Sequence, residues 1–427
     1  MDFVEAYLAK NQFRPVITEA PNPDLNTCVV MPCYNEPYLL RSMESLYNCD
    51  RPVHAVEVII VINSPENCDK TILERNLATS REVLLWIEKR NDPKLRFHMI
   101  HRPNLPEKFA GVGLARKIGM DEAAYRLYKV NNTCGIITGF DADSLCDKNY
   151  LVEIERHFKV LSKTPGASVY FEHPISGHDF EPDVYEGIIQ YELHLRYLQQ
   201  ALRYVGHPHA FHTIGSSFAV RMDAYVKQGG MNKRKAGEDF YFLQKIISLG
   251  NYTEISTTRV IPSPRISDRV PFGTGASMQR WHLEQIFKTY PLEAFADIKQ
   301  LICGIDNYYE VEKDAITQIF NTFSFPLQEF LKANNFITEW KSVVSNSASL
   351  QAFRNRFFRW FNVFKVIQYL NYASQNFYTK PDIAVEAKKL LCKIGLEVAS
   401  GNPKELLEMY RHLDQQGFEI IPIEHSI

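Results

Sequence analysis

Two carboxylates two residues apart, Asp141 and Asp143, follow directly on the apolar run 134–140. Carboxylate oxygens suit Mg²⁺ and Mn²⁺, which commonly bind through one or two carboxylates together with substrate phosphates. An Asp-x-Asp triplet occurs by chance about once in a chain of this size, so the motif alone is weak evidence. Its position after a predicted strand favours a metal site, because ligands of parallel sheets bind beyond the carboxyl ends of the strands.

A second acidic pair, Glu238 and Asp239, precedes the predicted helix 240–249. An acidic residue at a helix N-terminus is stabilised by free amide groups and by the helix dipole, and this capping role would explain either residue alone. The functional interpretation is a general base that accepts a proton from an attacking hydroxyl group.

Basic residues in two loops are candidate phosphate ligands. Arg265 and Arg269 lie in a Pro- and Ser-rich segment, which is typical of a solvated loop or of a flexible lid whose guanidinium groups clamp a diphosphate. Lys108 and Arg116 flank the small residues at 111–113. Small residues at the start of a helix let the backbone approach a nucleotide, so both cations could face its phosphates.

The spacing of these residues disfavours two common nucleotide-binding motifs. The dinucleotide fingerprint Gly-x-Gly-x-x-Gly needs a third glycine where this chain has Arg116. A P-loop needs glycines directly after the first strand, where the segment 32–36 has none. A Rossmann dehydrogenase and a P-loop NTPase are therefore both disfavoured.

Two further clusters have a structural and a functional interpretation. His207, His209 and His212 could hold zinc, but without a suitably spaced Cys or Glu partner they are better explained as loop histidines. Aromatic side chains recur on one face of a helix predicted over 353–370. Such a face usually packs in a protein core. The alternative is a helix that binds the membrane surface.

Strands that alternate with helices must position these residues. The predicted strands are 26–32, 56–62, 95–100, 134–140 and 167–172, and the predicted helices are 36–48, 70–90, 111–129, 184–205 and 240–249. This alternation predicts parallel β-α-β units and an α/β fold. The segment after the first strand and Asn63 after the second should then lie beside the Asp-x-Asp element.

Composition narrows the function further. The chain has 427 residues, with 48 Lys and Arg against 50 Asp and Glu and a net charge of -2, so a general affinity for nucleic acid is not expected. Neither a membrane-spanning run nor a signal peptide is recognisable, and the eight cysteines form no Cys-x-x-Cys, which predicts a cytoplasmic protein with reduced thiols. We expect a leader over 1–24, an α/β domain over 25–290 and an α-helical domain over 291–427.

The order of these motifs resembles the family 2 glycosyltransferases with the GT-A fold. The matching segments are 29–36, 115–119, 140–143, 215–221, 229–230 and 237–239. The resemblance covers roughly residues 25–290 and implies a GT-A nucleotide-diphospho-sugar transferase fold with a mostly parallel central sheet.

The resemblance also implies a role for each candidate residue. Asp141 and Asp143 would bind Mn²⁺ or Mg²⁺, and Asp239 would be the catalytic base with Glu238 beside it. The donor would be a nucleotide sugar, with UDP expected and GDP or dTDP as alternatives. The residues that the resemblance expects to hold this donor are Pro32, Tyr34, Asn35, Glu36, Asn63, Arg116, Asp141, Ala142 and Asp143. The loop cations Lys108, Arg265 and Arg269 are added to them as the candidate phosphate ligands described above.

Differences from the family pattern leave the substrates open. Asn63 stands where the family usually has Asp, so the nucleobase is not fixed. Ser277 replaces the Gln of the Gln-x-x-Arg-Trp motif of processive synthases, and no membrane helix is predicted that could thread a polymer, so we expect transfer of single sugars. The expected acceptor is a glycan or a lipid-linked molecule, and the expected role is in cell-surface glycan or glycolipid synthesis. The alternatives are a sugar-nucleotide pyrophosphorylase and a non-catalytic module that binds nucleotide sugars or glycans.

Overall fold

The structure is a computed structural model and describes residues 2–267, 273–309 and 311–417. These divide into two compact units. The first comprises the described residues of 1–185, 213–279 and 413–427, and the second those of 186–212 and 280–412. The domain limits expected at residues 24 and 290 rest on composition and stay a prediction.

An eight-stranded sheet forms the centre of the first unit. Its strands are β1 (Leu25–Cys33), β2 (Ala55–Pro65), β3 (Leu95–Leu105), β4 (Ile136–Gly139), β5 (Leu145–Cys146), β6 (Gly166–Phe171), β7 (Phe218–Arg221) and β8 (Thr253–Ile261). Their order is β3-β2-β1-β4-β7-β6-β8-β5. The first four strands run parallel, β8 is parallel to β6, β7 is antiparallel to both of its neighbours, and β5 is antiparallel to β8. The predicted α/β class with a mostly parallel sheet is confirmed.

Helices follow the strands and dominate the rest of the chain. They are α1 (Phe3–Lys10), α2 (Leu39–Tyr47), α3 (Lys70–Glu88), α4 (Val112–Lys129), α5 (Tyr150–Val160), α6 (Pro182–Tyr204), α7 (Met222–Lys227), α8 (Glu238–Ile247), α9 (Thr274–Glu284), α10 (Leu292–Cys303), α11 (Lys313–Phe320), α12 (Phe325–Ala333), α13 (Phe336–Ser345), α14 (Leu350–Trp360), α15 (Val363–Asn376), α16 (Ile383–Lys393) and α17 (Pro403–Gln416). The α-helical character predicted for the C-terminal region is confirmed over its described residues.

Helix α4 packs closely on β1 and β2. The two strands are almost entirely buried, as their β-branched apolar runs predict. Gly119 makes the close approach feasible, because a Cβ atom there would overlap the side chain of Val30. This packing fixes the first turns of α4, and therefore Arg116, relative to the sheet.

The N-terminal helix α1 holds α4 from the other side through buried polar contacts. The Tyr7 hydroxyl and the Tyr225 hydroxyl each donate to Asp121 Oδ1 at 2.6 Å. Lys117 Nζ donates to the Tyr7 hydroxyl at 3.0 Å and forms an ion pair with Asp121. Because buried polar groups need such partners, the network favours one position of α4.

Three sequence-based expectations need correction. Helix α8 begins at Glu238 rather than after Asp239, so both acids belong to its first turn. Strand β8 was not predicted, although its alternating β-branched residues are a recognisable signal. The helix predicted over 353–370 is two helices, because the Asn362 side chain accepts from the Lys365 backbone N–H at 3.1 Å and caps α15.

Most of the aromatic face of that region lies in the core of the second unit, and Phe364 is its exposed member. Phe353, Phe357 and Phe361 are buried, and Phe357 packs on the Phe361 and Trp360 rings. These positions are therefore not available to a lipid surface, and the structure does not support the predicted membrane contact through 353–370. Among the helices of the described ranges, none is long and apolar enough to cross a membrane.

Candidate active site

The carboxyl ends of β1 and β4 lie side by side. The two strands pair in parallel up to Val30 and Gly139, and the Phe140 backbone N–H donates to the Val30 carbonyl at 3.0 Å. The segments that follow these strands therefore leave the sheet together. Ala142, in the segment that follows β4, is buried, and its carbonyl accepts from the Ser42 hydroxyl at 2.9 Å.

Arg116 brings two of the predicted acids together. Its Nη1 donates to Glu238 Oε1 at 2.5 Å, and its Nη2 donates to Asp141 Oδ1. The Arg116 side chain is only 3% exposed, so this is a buried interaction on the Glu238 side, whereas Asp141 remains 36% exposed. Carboxylates that are far apart in sequence thus share one guanidinium group.

Gly215 is required for this arrangement. A Cβ atom at position 215 would overlap the Arg116 guanidinium group. The Gly215 backbone also acts to lower the pKa of the Asp239 carboxyl group. The glycine was part of a motif in the sequence, but its contact with Arg116 could be found only from the fold.

A second arginine, Arg265, joins another pair of carboxylates. Its Nε lies 3.1 Å and its Nη2 lies 3.0 Å from Asp143 Oδ2, and Nη2 also donates to Glu36 Oε2. Glu36 is buried, and its Oε1 accepts from the Tyr38 backbone N–H at 2.9 Å. Glu36 was predicted to contact the nucleoside, and the structure shows it holding Arg265.

An asparagine cluster lies at the ends of β1 and β2. The Asn35 backbone N–H donates to Asn76 Oδ1 at 3.0 Å, and Asn76 Nδ2 donates to the Asn63 carbonyl at 3.2 Å. Asn35 adopts a left-handed conformation with φ of 49°, which asparagine tolerates. Asn76 is a buried helical residue without a motif, and sequence reasoning missed it.

The other described residues predicted to hold the donor lie at separate places in the first unit. Pro32 lies inside β1 opposite Val61, and the Tyr34 hydroxyl is 3.8 Å from Cys68 Sγ. Lys108 is exposed, with its Nζ 5.3 Å from the centroid of the Phe109 ring. Arg269 lies outside the described residues.

The glycines at the start of α4 have a different role from the one expected. A Cβ atom at Gly113 would overlap the Arg234 carbonyl, and one at Gly111 would lie 3.1 Å from Lys235 Cα. Gly111 and Gly113 therefore leave room for the chain segment that leads into α8. They bring the start of α4 to the acidic pair, rather than to an open nucleotide site.

Burial governs the protonation of the acidic pair. It raises the pKa of Glu238 to about 7; the Arg116 guanidinium opposes the rise and the Asp239 charge adds to it. Burial also raises the pKa of Asp239, again against the attraction of Arg116. For Arg116, burial acts to lower the pKa, but the charges of Asp141, Glu238 and Asp239 outweigh it and raise the pKa. Arg116 is therefore charged, and the acids compete for it.

The raised pKa of Glu238 predicts a pH dependence of stability. We expect the free energy of unfolding to fall as the pH rises from about 4.5, the ordinary glutamate value, to about 7. Over this interval the unfolded chain has released the Glu238 proton while the folded protein keeps it. Glu238→Gln should lack this part of the slope in urea denaturation at pH 5 to 8. Parallel curves for the two proteins would show that Glu238 is ionised throughout.

The histidine cluster belongs to the second unit and forms internal contacts. His207 Nε2 is 2.9 Å from the Phe361 carbonyl, and the His209 backbone N–H donates to His207 Nδ1 at 3.1 Å. Burial lowers the pKa of His207 to about 3 and that of His209 to about 4. Over the described ranges, no group of three or more His, Cys, Asp or Glu side chains could hold a metal, so the zinc alternative has no support.

Comparison with known families supports one of the remaining interpretations. The protein-family model described as "Glycosyl transferase family 2" matches residues 28–228 of the chain. This part of the chain is a family 2 glycosyltransferase domain. The matched range includes Arg116, Asp141 and Asp143, whereas Glu238 and Asp239 lie beyond its end. The fold of this domain is of the GT-A type, as the resemblance implied.

Solved structures give weaker likenesses. One is the mannosyltransferase PcManGT from Pyrobaculum calidifontis in complex with GDP-Man and Mn²⁺, at 15% identity over 84% of this chain and 95% of that chain, with a TM-score of 0.36. Another is S. aureus TarS 1–349 in complex with UDP-GlcNAc, at 12% identity over 78% and 91% of the chains, also with a TM-score of 0.36. No curated protein is significantly similar to the chain.

Proposed function

We propose that the protein is an inverting, non-processive glycosyltransferase that transfers one sugar from a nucleotide-diphosphate sugar to an acceptor hydroxyl group, with Mn²⁺ or Mg²⁺. The observation that carries this proposal is the Arg116 guanidinium, which joins Asp141 of the Asp-x-Asp element to Glu238 of the acidic pair. Transfer from a diphosphate donor needs both a diphosphate-binding group and a general base, and this contact supports the proposal that the two elements act in one site.

Asp141 and Asp143 would hold the cation. Their oxygen atoms suit Mg²⁺ or Mn²⁺, whose other ligands can be phosphate oxygens and water. When bound, such a cation stabilises the negative charge that develops on a leaving diphosphate. Arg116 and Arg265 each bind one of these carboxylates, so positive charge is already directed at the same place.

Asp239 is the proposed catalytic base. It is partly exposed, whereas Glu238 is 2% exposed and bound to Arg116. One Asp239 oxygen accepts from the Phe240 backbone N–H at 2.7 Å, which holds the carboxylate at the start of α8. A carboxylate held in this way can take the proton of an acceptor hydroxyl as that oxygen attacks the anomeric carbon from the side opposite the diphosphate. A single displacement of this kind inverts the anomeric configuration.

The substrates are proposed by class. UDP is the expected nucleotide, with GDP and dTDP as alternatives, and the acceptor is a glycan or a lipid-linked sugar in cell-surface glycan or glycolipid synthesis. The asparagine cluster of Asn35, Asn63 and Asn76 supports a nucleobase site at the ends of β1 and β2, because amides donate and accept hydrogen bonds. A cytoplasmic location, without nucleic-acid binding, stays part of this proposal.

The two alternatives fit the residues less well. A sugar-nucleotide pyrophosphorylase would need a glycine-rich loop directly after β1, and the segment 34–38 contains no glycine. A non-catalytic binding module would not need the acidic pair, yet Glu238 is bound to Arg116 and Asp239 is held at the first turn of α8.

A thermal-shift screen with Mn²⁺ and UDP-, GDP-, dTDP- or CMP-sugars tests the proposal. A donor at about a hundred times its dissociation constant stabilises the native state by about 2.7 kcal/mol, so one nucleotide should raise the melting temperature by roughly 2–5 °C. Asp143→Ala should lose the Mn²⁺-dependent part of this shift. Pyrophosphate-dependent formation of nucleoside triphosphate would instead favour the pyrophosphorylase, and binding without any turnover would favour the binding module.

A further inference from the structure

Arg265 makes a contact that the proposed transfer reaction does not explain. Its guanidinium group bridges Asp143 and Glu36, two carboxylates that come from the ends of different strands. Nε and Nη2 both approach the same Asp143 oxygen, at 3.1 Å and 3.0 Å. The Arg265 side chain is 17% exposed, so water screens these contacts only in part.

The two carboxylates differ in how firmly they are fixed. Glu36 is almost fully buried, and its second oxygen accepts from the Tyr38 backbone N–H at 2.9 Å. Asp143 is more exposed, at 19% for its side chain, and lies on the loop that carries Asp141. Movement of Arg265 away from Asp143 would therefore leave its contact with Glu36 in place.

A divalent cation on Asp143 would conflict with this arrangement. The oxygen that Arg265 contacts belongs to the carboxylate that a cation would coordinate, and like charges brought to the same carboxylate repel each other. Either the guanidinium group leaves Asp143, or the cation binds with lower affinity.

We propose that Arg265 is a built-in counter-ion of the donor site, which neutralises Asp143 in the ligand-free protein and competes with the divalent cation for that carboxylate. When the cation binds, Arg265 turns away from Asp143 while Glu36 retains it, and its guanidinium group becomes available to a phosphate oxygen. This inference rests on the proposed metal-dependent function. It makes Glu36 a positioning residue rather than a nucleoside ligand.

Isothermal titration calorimetry with Mn²⁺ alone tests the competition. The native protein is compared with Arg265→Gln, and the nucleotide is left out so that the readout is independent of transfer activity. If the Arg265–Asp143 contact is formed in about four-fifths of the protein molecules or more, its removal should lower the Mn²⁺ dissociation constant at least about fivefold. Asp143→Asn should abolish the high-affinity binding.

A matched control separates competition from a general loss of positive charge. Arg259 on β8 forms ion pairs with Glu172 and Asp147, four residues beyond Asp143, and Arg259→Gln removes the same charge from a neighbouring contact. We expect this variant to bind Mn²⁺ within twofold of the native protein. If Arg265→Gln does not fold by circular dichroism, Arg265→Lys is used, which keeps the charge but lacks the planar fork and should still bind Mn²⁺ more than about twofold tighter.

The outcomes distinguish the inference from the proposed function. Unchanged or weaker Mn²⁺ binding by Arg265→Gln, together with loss of binding by Asp143→Asn, would overturn the competition and leave the metal site standing. An equal increase in Mn²⁺ affinity in Arg259→Gln and Arg265→Gln would also contradict the competition between Arg265 and the cation. Absence of Mn²⁺ binding by every protein, including a sample with saturating UDP, would overturn both the inference and the proposed metal dependence.

Discussion

Replacement of Asp239 with asparagine is expected to abolish sugar transfer and to leave donor binding largely intact. Asparagine has nearly the same shape and can still accept from the Phe240 backbone N–H, but it cannot take a proton from the acceptor hydroxyl. Loss of a general base typically lowers the rate by about 10²–10⁴-fold. The rate of transfer and the donor dissociation constant should be measured on the same preparation.

The proposed role of Asp239 has a matched comparison and a stereochemical test. Asp143→Ala should weaken Mn²⁺-dependent donor binding, so the same loss of nucleotide affinity in both variants would contradict the separate roles. NMR of the first product formed by the native enzyme from an α-linked donor should show a β-linkage. Retention of the α-configuration would exclude the single displacement with Asp239 as base.

Replacement of Arg116 with glutamine is expected to destabilise the protein by about 3 kcal/mol or more, because it leaves a buried carboxylate without its charge partner. Glu238 is the main source of the cost, since it is nearly inaccessible, whereas Asp141 is partly solvated. Protonation of Glu238 can relieve part of the loss, so the effect should be larger at pH 8 than at pH 6. Urea denaturation measures the free energy of unfolding at both pH values.

Arg156 provides the control for Arg116→Gln. It forms an ion pair with Glu153 on the surface of α5, and its side chain is 58% exposed. Because such pairs contribute little, Arg156→Gln should change the free energy of unfolding by no more than about 0.5 kcal/mol. Similar values for the two variants would mean that the Arg116 contacts are not stabilising, and that its place in the site has another cause.

Much of the sheet was predictable because its strands are buried on both faces. The β-branched run at 56–62 is typical of a buried strand. Parallel pairing follows from the helices that connect successive strands. Strand β7 and the two-residue β5 are short and lie among loops, so periodicity had little to detect. The first turn of α8 was missed because acidic residues there satisfy both a cap and a helix start.

The sequence could predict which segments carry the site residues, but not which of these side chains contact each other. Residues that follow parallel strands could be named from the sequence, since the carboxyl ends of those strands meet. The partners of the two arginines could not, because Arg265 and Glu36 are 229 residues apart and Arg116 and Glu238 are 122 apart. Which acid each guanidinium selects depends on loop geometry at the sheet edge, and no local pattern encodes it.

The overlap between position 215 and the Arg116 guanidinium has a consequence for how such sequences can diverge. While an arginine occupies position 116, any side chain at position 215 would displace its guanidinium group. Substitutions of Gly215 should therefore be selected against. A homologue that has exchanged the arginine for a shorter residue is released from that restriction. Across homologous chains the two positions should consequently covary, even though one is a helix residue and the other lies in a loop ninety-nine places later.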